Sequence, residues 1–509
     1  MRTARLFLRN TLLLSGSALL MRLISMGFQV YLTRRAGAAG IGLFELMMSA
    51  FGLAAAVAVS GVRLSTIRLL ILQPGRGRGV MRLCLGYSLT LGLGAAGGMI
   101  LLAPTVAGRF LDAPELTGAL RLLALTLPCL ALSSCLGGWF SAMRQAGRTA
   151  LIQGAEFLVQ MVLSLGALTL LPAGEAAGVC MALAVGTLGA DVCSAALAGG
   201  LFARESGLRG GERGRGLLPQ LLSIAVPDAV GSWIRSGLVS AKHLLIPKGL
   251  RRCGQSAQSA LAAYGTVQGM VLPVLGFPTV LLGTVSGLLV PEVAECRKRG
   301  DRGKLRSMTL RVVHFTLVLG CFAAAVLAVY GGEVGRVLYR SREAEELLRL
   351  LAPLAPLMYL DTAVDGVLKG LGLQTASMRI NILDAGVSLL LVWQLIPRVG
   401  LGGYLFTLYV SESMNLALSW RQLRRETGLR IPLYRSVLAP ALAAMLAVLL
   451  PALWLGEGGL WLLLPAAGGY YLLLRVLGSV TRRDVRWLWG VLRGKPGERH
   501  GFFPKKVVK

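Results

Sequence analysis

Acidic residues are scarce in this chain: 24 Asp and Glu stand among 509 residues, beside 53 Lys and Arg. Histidine is scarcer still, with three. Charged residues make up only 15%, against about 25% in typical soluble domains. So little charge cannot cover a soluble surface. Hydrophobic residues reach 55% before the 66 glycines are counted, and single soluble cores stop growing near ~250–300 residues. Disordered, collagen-like, coiled-coil and disulfide-stapled secreted chains are excluded as well. No two of the eight cysteines form a CxxC pair and most lie in apolar runs, so they read as reduced packing residues without metal or disulfide. No HExxH, GxSxG or metal-ligand cluster occurs, and Gly75-Arg-Gly-Arg-Gly79 lacks the ending of a phosphate-binding Walker loop. No connection between apolar runs is long enough to hold a soluble catalytic domain.

Fourteen apolar runs occupy the chain instead. Their limits are 11–32, 41–61, 83–103, 120–142, 150–171, 178–202, 221–246, 262–290, 311–330, 349–371, 378–396, 402–420, 437–455 and 459–478. Each is near the ~20 residues that cross a bilayer as a helix, and helices are required because lipid satisfies no free backbone group. The expected fold is an all-α polytopic membrane protein with about fourteen transmembrane helices. The net charge of +29 then reflects basic loops on anionic lipid; no nucleic-acid motif accompanies it. With the N-terminus inside, and with Arg311, Arg379 and Arg475 at span ends counted on the inner side, 37 basic residues fall in cytoplasmic segments, 10 in external ones and 6 within spans. Both termini are therefore expected in the cytoplasm. The external Lys248, Arg251, Arg252 cluster departs from the pattern. The tail from Arg482 to Arg493 alternates basic residues with Trp487, Trp489 and Leu492, as an amphipathic anchor on anionic inner-leaflet lipid would.

The chain repeats itself. Leu120–Ala124 reads Leu-Arg-Leu-Leu-Ala and recurs at Leu348–Ala352, an offset of 228. Without a gap, Pro128 pairs with Pro356, Leu132 with Leu360, Gly138 with Gly366, Ile152 with Ile380 and Val159 with Val387, while Glu156 falls on Asp384. At another offset, Arg22 and Arg235 each lie ten residues before a leucine and a basic exit. Six helices separate the copies, so both have the same orientation, a parallel repeat of two six-helix bundles. The expected division is 1–215, 216–430, helices 13 and 14 over 431–480, and a basic cytoplasmic tail over 481–509. Two such bundles suit a transporter working by alternating access.

The chemistry must lie in polar residues at bilayer depth, where each charge costs about 2.5–3.5 kcal/mol at the centre of a span. In span 7, Asp228, Arg235 and Lys242 are spaced by seven and form one stripe. Pro227 predicts a kink or break beside them. Span 10 carries Asp361, Asp365 and Lys369 at spacing four, with Asp365 and Lys369 in the order that favours a pair. Span 1 supplies Arg22 and Gln29 at spacing seven. Glu45, Glu156, Asp191, Asp384, Glu412 and Asn415 are further polar residues inside spans. The bland alternative for all of these is mutual pairing that holds helices together. Cations suit phosphate or pyrophosphate, so Arg22, Arg235, Lys242, Lys369, Asp228 and Gln29 are the substrate-binding candidates. Asp361, Asp365 and Glu45 are the ion-coupling candidates. No cofactor is expected, and nothing in the sequence fixes an oligomeric state.

The fourteen spans, the 6+6+2 plan, Arg22 and the stretch Arg34-Arg-Ala-Gly-Ala-Ala-Gly-Ile-Gly-Leu-Phe44 resemble the multidrug/oligosaccharidyl-lipid/polysaccharide exporter superfamily. Within it, Gly61-Val-Arg-Leu-Ser65, Tyr264-Gly265, Phe277-Pro278 and Leu289-Val-Pro291 are similar to the stage V sporulation protein B group, related to the lipid II flippases. The resemblance implies transport of undecaprenyl-pyrophosphate-linked oligosaccharide across the bacterial cytoplasmic membrane, including peptidoglycan precursor for the spore cortex. Arg22 matches the family's first-helix arginine. The flippases' second arginine in that helix falls at Phe28-Gln29, and their span-8 arginine has no counterpart between Tyr264 and Pro278. Arg235 or Lys242 would then supply the charge. Two further readings stand beside this one: a cation-coupled multidrug antiporter of the same fold, and a membrane glycan-handling enzyme needing a catalytic external loop.

Overall fold

The computed structural model describes residues 2–73, 76–143, 145–170, 176–205, 216–279, 282, 292–455 and 459–492. For residues 2–19, 146, 205, 453–455, 460 and 488–492 it describes the backbone alone. Among the described residues there is no strand. The helices are α1 (Arg2–Val59), α2 (Val62–Leu72), α3 (Gly77–Thr105), α4 (Thr117–Ala124), α5 (Thr126–Ala142), α6 (Ala146–Leu170), α7 (Ala176–Glu205), α8 (Leu217–Arg252), α9 (Ala257–Gly265) and α10 (Leu272–Gly276). They continue with α11 (Arg302–Tyr339), α12 (Arg342–Leu351), α13 (Leu354–Gly370), α14 (Gln374–Val399), α15 (Leu401–Thr427), α16 (Ala439–Leu455), α17 (Leu463–Val476) and α18 (Arg482–Leu492). Each of the fourteen apolar runs is mainly helical where it is described, with turns inside several of them, at Gly61, Leu125, Phe277 and Pro353 among others. The second half of span 8 and the Leu289-Val-Pro291 motif lie outside the described residues, as do Gly75, much of the 204–215 basic cluster, His500 and the end of the tail.

The chain crosses a membrane many times. Among the described residues ten helical stretches are long and apolar enough to span, and the α12–α13 pair makes an eleventh. Spans 1 and 2 share α1, divided only at Gly37, whose φ of 70° and ψ of 174° suit a residue without Cβ. Span 12 is helical but too polar to pass as a span on hydropathy, and span 14 has only the 14 residues of α17. Of the kink or break expected at Pro227, no break occurs: α8 is continuous helix through it. A membrane helix tolerates proline where its neighbours compensate. The break falls instead in span 10, where α12 and α13 meet at 61° around Pro353.

Packing divides the described residues into two compact units. The N-terminal unit comprises Tyr31–Gly265 and Leu389–Leu401; the C-terminal unit comprises Met1–Val30, Thr266–Ser388 and Gly402–Lys509. In the C-terminal unit, α16 and α17 pack on α11: Tyr470 stacks on Phe322 with centroids 4.9 Å apart and donates from Oη to the Val318 carbonyl at 2.8 Å.

The duplication is structural. Helix α13 begins and ends 228 residues after α5, and α14 begins at the same offset from α6. Leu120 and Leu348 are both fully buried. A shared close approach fixes the register: a Cβ on Gly92 would lie 2.8 Å from the Pro128 Cα, and a Cβ on Gly320 would lie 2.8 Å from the Pro356 Cα. Small residues let membrane helices meet backbone to backbone, where dispersion contacts replace the hydrophobic effect that lipid removes. Gly92→Leu and Gly320→Leu should each destabilise the protein by about 1–3 kcal/mol or more, read as a lowered unfolding midpoint in detergent. Gly97→Leu, where an added Cβ meets nothing within 4 Å, should leave the midpoint within a degree or two of wild type.

Candidate functional site

In the N-terminal unit the α8 stripe divides by environment. Asp228 Oδ2 accepts the Gly61 backbone N–H at 3.1 Å. Gly61 is the left-handed junction (φ 74°) before α2, and a Cβ there would come within 2.4 Å of the Ala225 carbonyl oxygen. A carboxylate at the start of α2 also meets the positive end of that helix dipole. Asp228 thus joins α8 to the α1–α2 junction. Two turns on, Arg235 is exposed, with no hydrogen bond or ion pair among the described residues. Lys242 is half-buried, and the ring of its neighbour His243 bonds through Nδ1 to Tyr264 Oη at 2.9 Å. Glu45, half-buried on α1, has no hydrogen bond or ion pair among the described residues.

The same unit accounts for the basic cluster that departed from the charge pattern. Lys248 Nζ donates to the Arg109 carbonyl at 2.7 Å and lies 5.4 Å from the Phe110 ring centroid. Arg251 pairs with Asp112 at 2.7 Å. Lys248 and Arg251 are thus bound to the segment that follows α3, so local pairing holds these two where they are.

In the C-terminal unit Arg22 is exposed on α1, again with no hydrogen bond or ion pair among the described residues. Gln29 Nε2 donates to the Gly269 carbonyl at 3.1 Å. Three helices of this unit share a continuous polar path. Lys369 Nζ lies 2.6 Å from Asp365 Oδ2, and Ser377 donates to the other oxygen of Asp365. Asn381 donates to Ser377 at 3.4 Å. Asn415 donates both to Asn381 Oδ1 at 3.4 Å and to Asp361 Oδ2 at 3.3 Å. Asp361 Oδ1 is buried without a hydrogen-bond partner among the described residues. Beside this path Ser411 donates to Asp384 at 2.6 Å and Ser388 to Ser411 at 2.9 Å. The path joins α13, α14 and α15 and links two carboxylates, Asp361 and Asp365, to one ammonium, with Asp384 beside it.

Sequence reasoning singled out the acids, Lys369 and Asn415 but missed Ser377, Asn381, Ser388 and Ser411. A signal existed: 377, 381, 384 and 388 are spaced by four, three and four, one face of α14. The tail also differs from expectation. Trp487 is not turned out to lipid; it is buried, stacked on Phe315 at 5.9 Å with the Arg311 guanidinium 5.3 Å from its ring. Asp484, buried too, is held by Arg435 and Thr481. The outward face of α18 carries Arg482, Arg483 and Arg486, while the side chains of Trp489 and Leu492 lie outside the described residues.

Residues 7–210 match the family model described as polysaccharide biosynthesis protein. Stage V sporulation protein B of Bacillus subtilis (strain 168) is 24% identical over 409 residues, covering 78% of this chain and 79% of that protein. A probable lipid II flippase MurJ of Rhizobium meliloti (strain 1021) is 26% identical over 216 residues, 42% and 38% of the two chains. The fold matches a solved lipid II flippase MurJ, inward closed, with TM-score 0.69 at 11% identity over 93% of this chain and 100% of that one. It also matches an inward-facing multidrug resistance transporter of the MOP superfamily, with TM-score 0.60 at 15% identity over 82% and 98%. Residues 7–210 thus resemble polysaccharide biosynthesis proteins, and the fold is the one shared by the lipid II flippase and multidrug transporter structures. On this fold the charges within the apolar runs sort in one direction: the acids are buried or half-buried, and Arg22 and Arg235 are exposed.

Asp228→Ala should lower stability by about 1 kcal/mol, the usual cost of an N-terminal helix cap. Arg235→Ala, two turns away, should stay within about 0.5 kcal/mol of wild type. Unfolding midpoints in detergent would check this, and an equal loss at Arg235 would make that arginine structural.

Proposed function

We propose that the protein is a flippase that moves undecaprenyl-pyrophosphate-linked oligosaccharide across the bacterial cytoplasmic membrane by alternating access. One observation carries the reading: each unit exposes one arginine at membrane depth, Arg235 on α8 and Arg22 on α1, with no protein counter-charge among the described residues. Facing hydrocarbon, each would cost about 2.5–3.5 kcal/mol. A pyrophosphate offers them the bidentate, charge-assisted hydrogen bonds to which a guanidinium fork is suited. Lys242 and Gln29 stand on the same helices, seven residues along. The names of the relatives support a lipid-linked envelope precursor as cargo, including peptidoglycan precursor in a sporulating cell. The loop charge pattern supports both termini in the cytoplasm.

The acid-rich path of Asp361 and Asp365, with Asp384 beside it, supports a coupling role, binding a proton or cation during the cycle. It also supports the second reading, a cation-coupled drug antiporter, in which that path rather than the arginines would set the cargo.

The deciding experiment is transbilayer movement of labelled undecaprenyl-pyrophosphate sugar in proteoliposomes. Wild type should move it, and Arg22→Ala and Arg235→Ala should each slow movement at least tenfold, with Arg→Lys at either site intermediate. Cation-dependent efflux of drugs, with no glycolipid moved, would overturn the flippase reading in favour of the antiporter.

A further inference from the structure

The repeat brings unlike chemistry to matching positions. At the offset of 228, Ser133 stands for Asp361, Gly137 for Asp365, Ser141 for Lys369, Thr149 for Ser377, Gln153 for Asn381 and Glu156 for Asp384. In the C-terminal unit these positions form the bonded path described above and the acid beside it. In the N-terminal unit the bridging acid and lysine are replaced by glycine and serine. There, between the end of α1 and helices α2, α5, α6 and α7, lies a cavity of about 240 Å3.

The walls of this cavity are more apolar than polar, and several of their polar side chains are unbonded. Ser133 Oγ is buried with no hydrogen-bond partner among the described residues. Ser134, Gln153, Glu156 and Ser194 line the cavity too, and none makes a hydrogen bond or ion pair among the described residues. Buried polar groups are nearly always hydrogen-bonded to protein, water or ligand. Arg63 stands at the exposed edge and bonds Ser141 Oγ at 3.1 Å. Phe140 and Ile152 supply apolar wall.

The donors and acceptors are mixed: serine hydroxyls and a glutamine amide do both, Glu156 accepts and Arg63 donates. That set fits a ligand that itself both donates and accepts at several points around an apolar ring face. The volume is roughly that of eight liquid waters at about 30 Å3 each, room for a single pyranose. We infer that this cavity of the N-terminal unit is a monosaccharide site, formed where the second copy of the repeat instead joins α13 to α14 through Asp365 and Ser377. It rests on the flippase reading in one respect, since a lipid-linked sugar is one source of the ring and a free monosaccharide the other.

The test uses the full chain in nanodiscs, titrated with free N-acetylglucosamine and with undecaprenyl-pyrophosphate-linked N-acetylglucosamine. Two variants probe the cavity. Gly137→Leu fills it from a position where an added Cβ meets nothing within 4 Å; Glu156→Gln removes its carboxylate and serves if the first does not fold. Each should weaken binding of at least one probe tenfold or more. Loss for both probes, with slower flipping, assigns the site to the lipid-linked cargo. Loss for the free sugar alone assigns it to a free monosaccharide. Failure of both probes to bind wild type, or equal binding by wild type and both variants, would leave a water-filled cavity only and overturn the inference. The two readings separate cleanly. Flipping that needs Arg22 and Arg235 while both probes ignore the cavity variants sinks the site alone; variant-sensitive sugar binding with no flipping by wild type sinks the flippase alone.

Discussion

Hydrocarbon accepts no hydrogen bond, and the rest of this structure follows from that refusal. Each backbone N–H and carbonyl at membrane depth has to be answered from within the protein, which helices do by themselves. Where a helix is interrupted, a partner must be found nearby. At Gly61, between α1 and α2, the free N–H is taken by Asp228. At the α4–α5 and α12–α13 breaks the interruption comes at equivalent places in the two copies of the repeat, after Ala124 and around Pro353. Polar side chains obey the same demand. Asp365, Ser377, Asn381, Asn415 and Asp361 answer one another in a path that no single member would sustain in lipid.

The two copies agree on packing and differ in chemistry. Gly92 against Pro128 and Gly320 against Pro356 approach to the same 2.8 Å for an added Cβ, because backbone contact leaves no freedom for a side chain. The faces of α5 and α13 that carry Ser133 and Asp361 have no such restriction. A polar residue there needs only a partner, and the partner can be another helix or a ligand. Duplication with this division of labour yields one bundle braced by internal charge and one holding a polar cavity.

Much of this fold was legible because hydropathy and helix length are set by the membrane, a solvent of fixed thickness. All fourteen runs come from that regularity, the repeat offset from residues matched in sequence, and the Asp365–Lys369 pair from helix geometry. What escaped depends on partners distant in the chain. Pro227 carries the usual signal for a break, yet α8 continues through it, while Pro353 marks a bend of 61°. Trp487 looks like an interfacial anchor from its basic neighbours; Phe315 and Arg311, more than 170 residues earlier, bury it instead. Asp228 reads as one member of a charged stripe, and its function as a cap depends on Gly61, 167 positions away. Periodicity names the face of a helix but not what stands opposite.

The sign of the exposed charge is the point at which structure bears most directly on cargo. A carboxylate at membrane depth has two ways to avoid its desolvation cost: it accepts hydrogen bonds, or it takes a proton and becomes neutral. Asp228, Asp361, Asp365 and Asp384 all accept bonds from protein donors. Arginine has only one way, because its guanidinium does not give up its proton in proteins. An exposed arginine without a protein partner offers its five donors to whatever acceptor lies outside. Arg22 and Arg235, one in each unit, are both of this kind. Under the proposed flippase reading, the two exposed arginines are the fixed charges offered to an anionic headgroup, and the four bonded aspartates are left for proton or cation binding. That separation, more than the count of charges, is what the proposed carrier of pyrophosphate-linked lipid needs and an exporter of cationic drugs on the same helices does not.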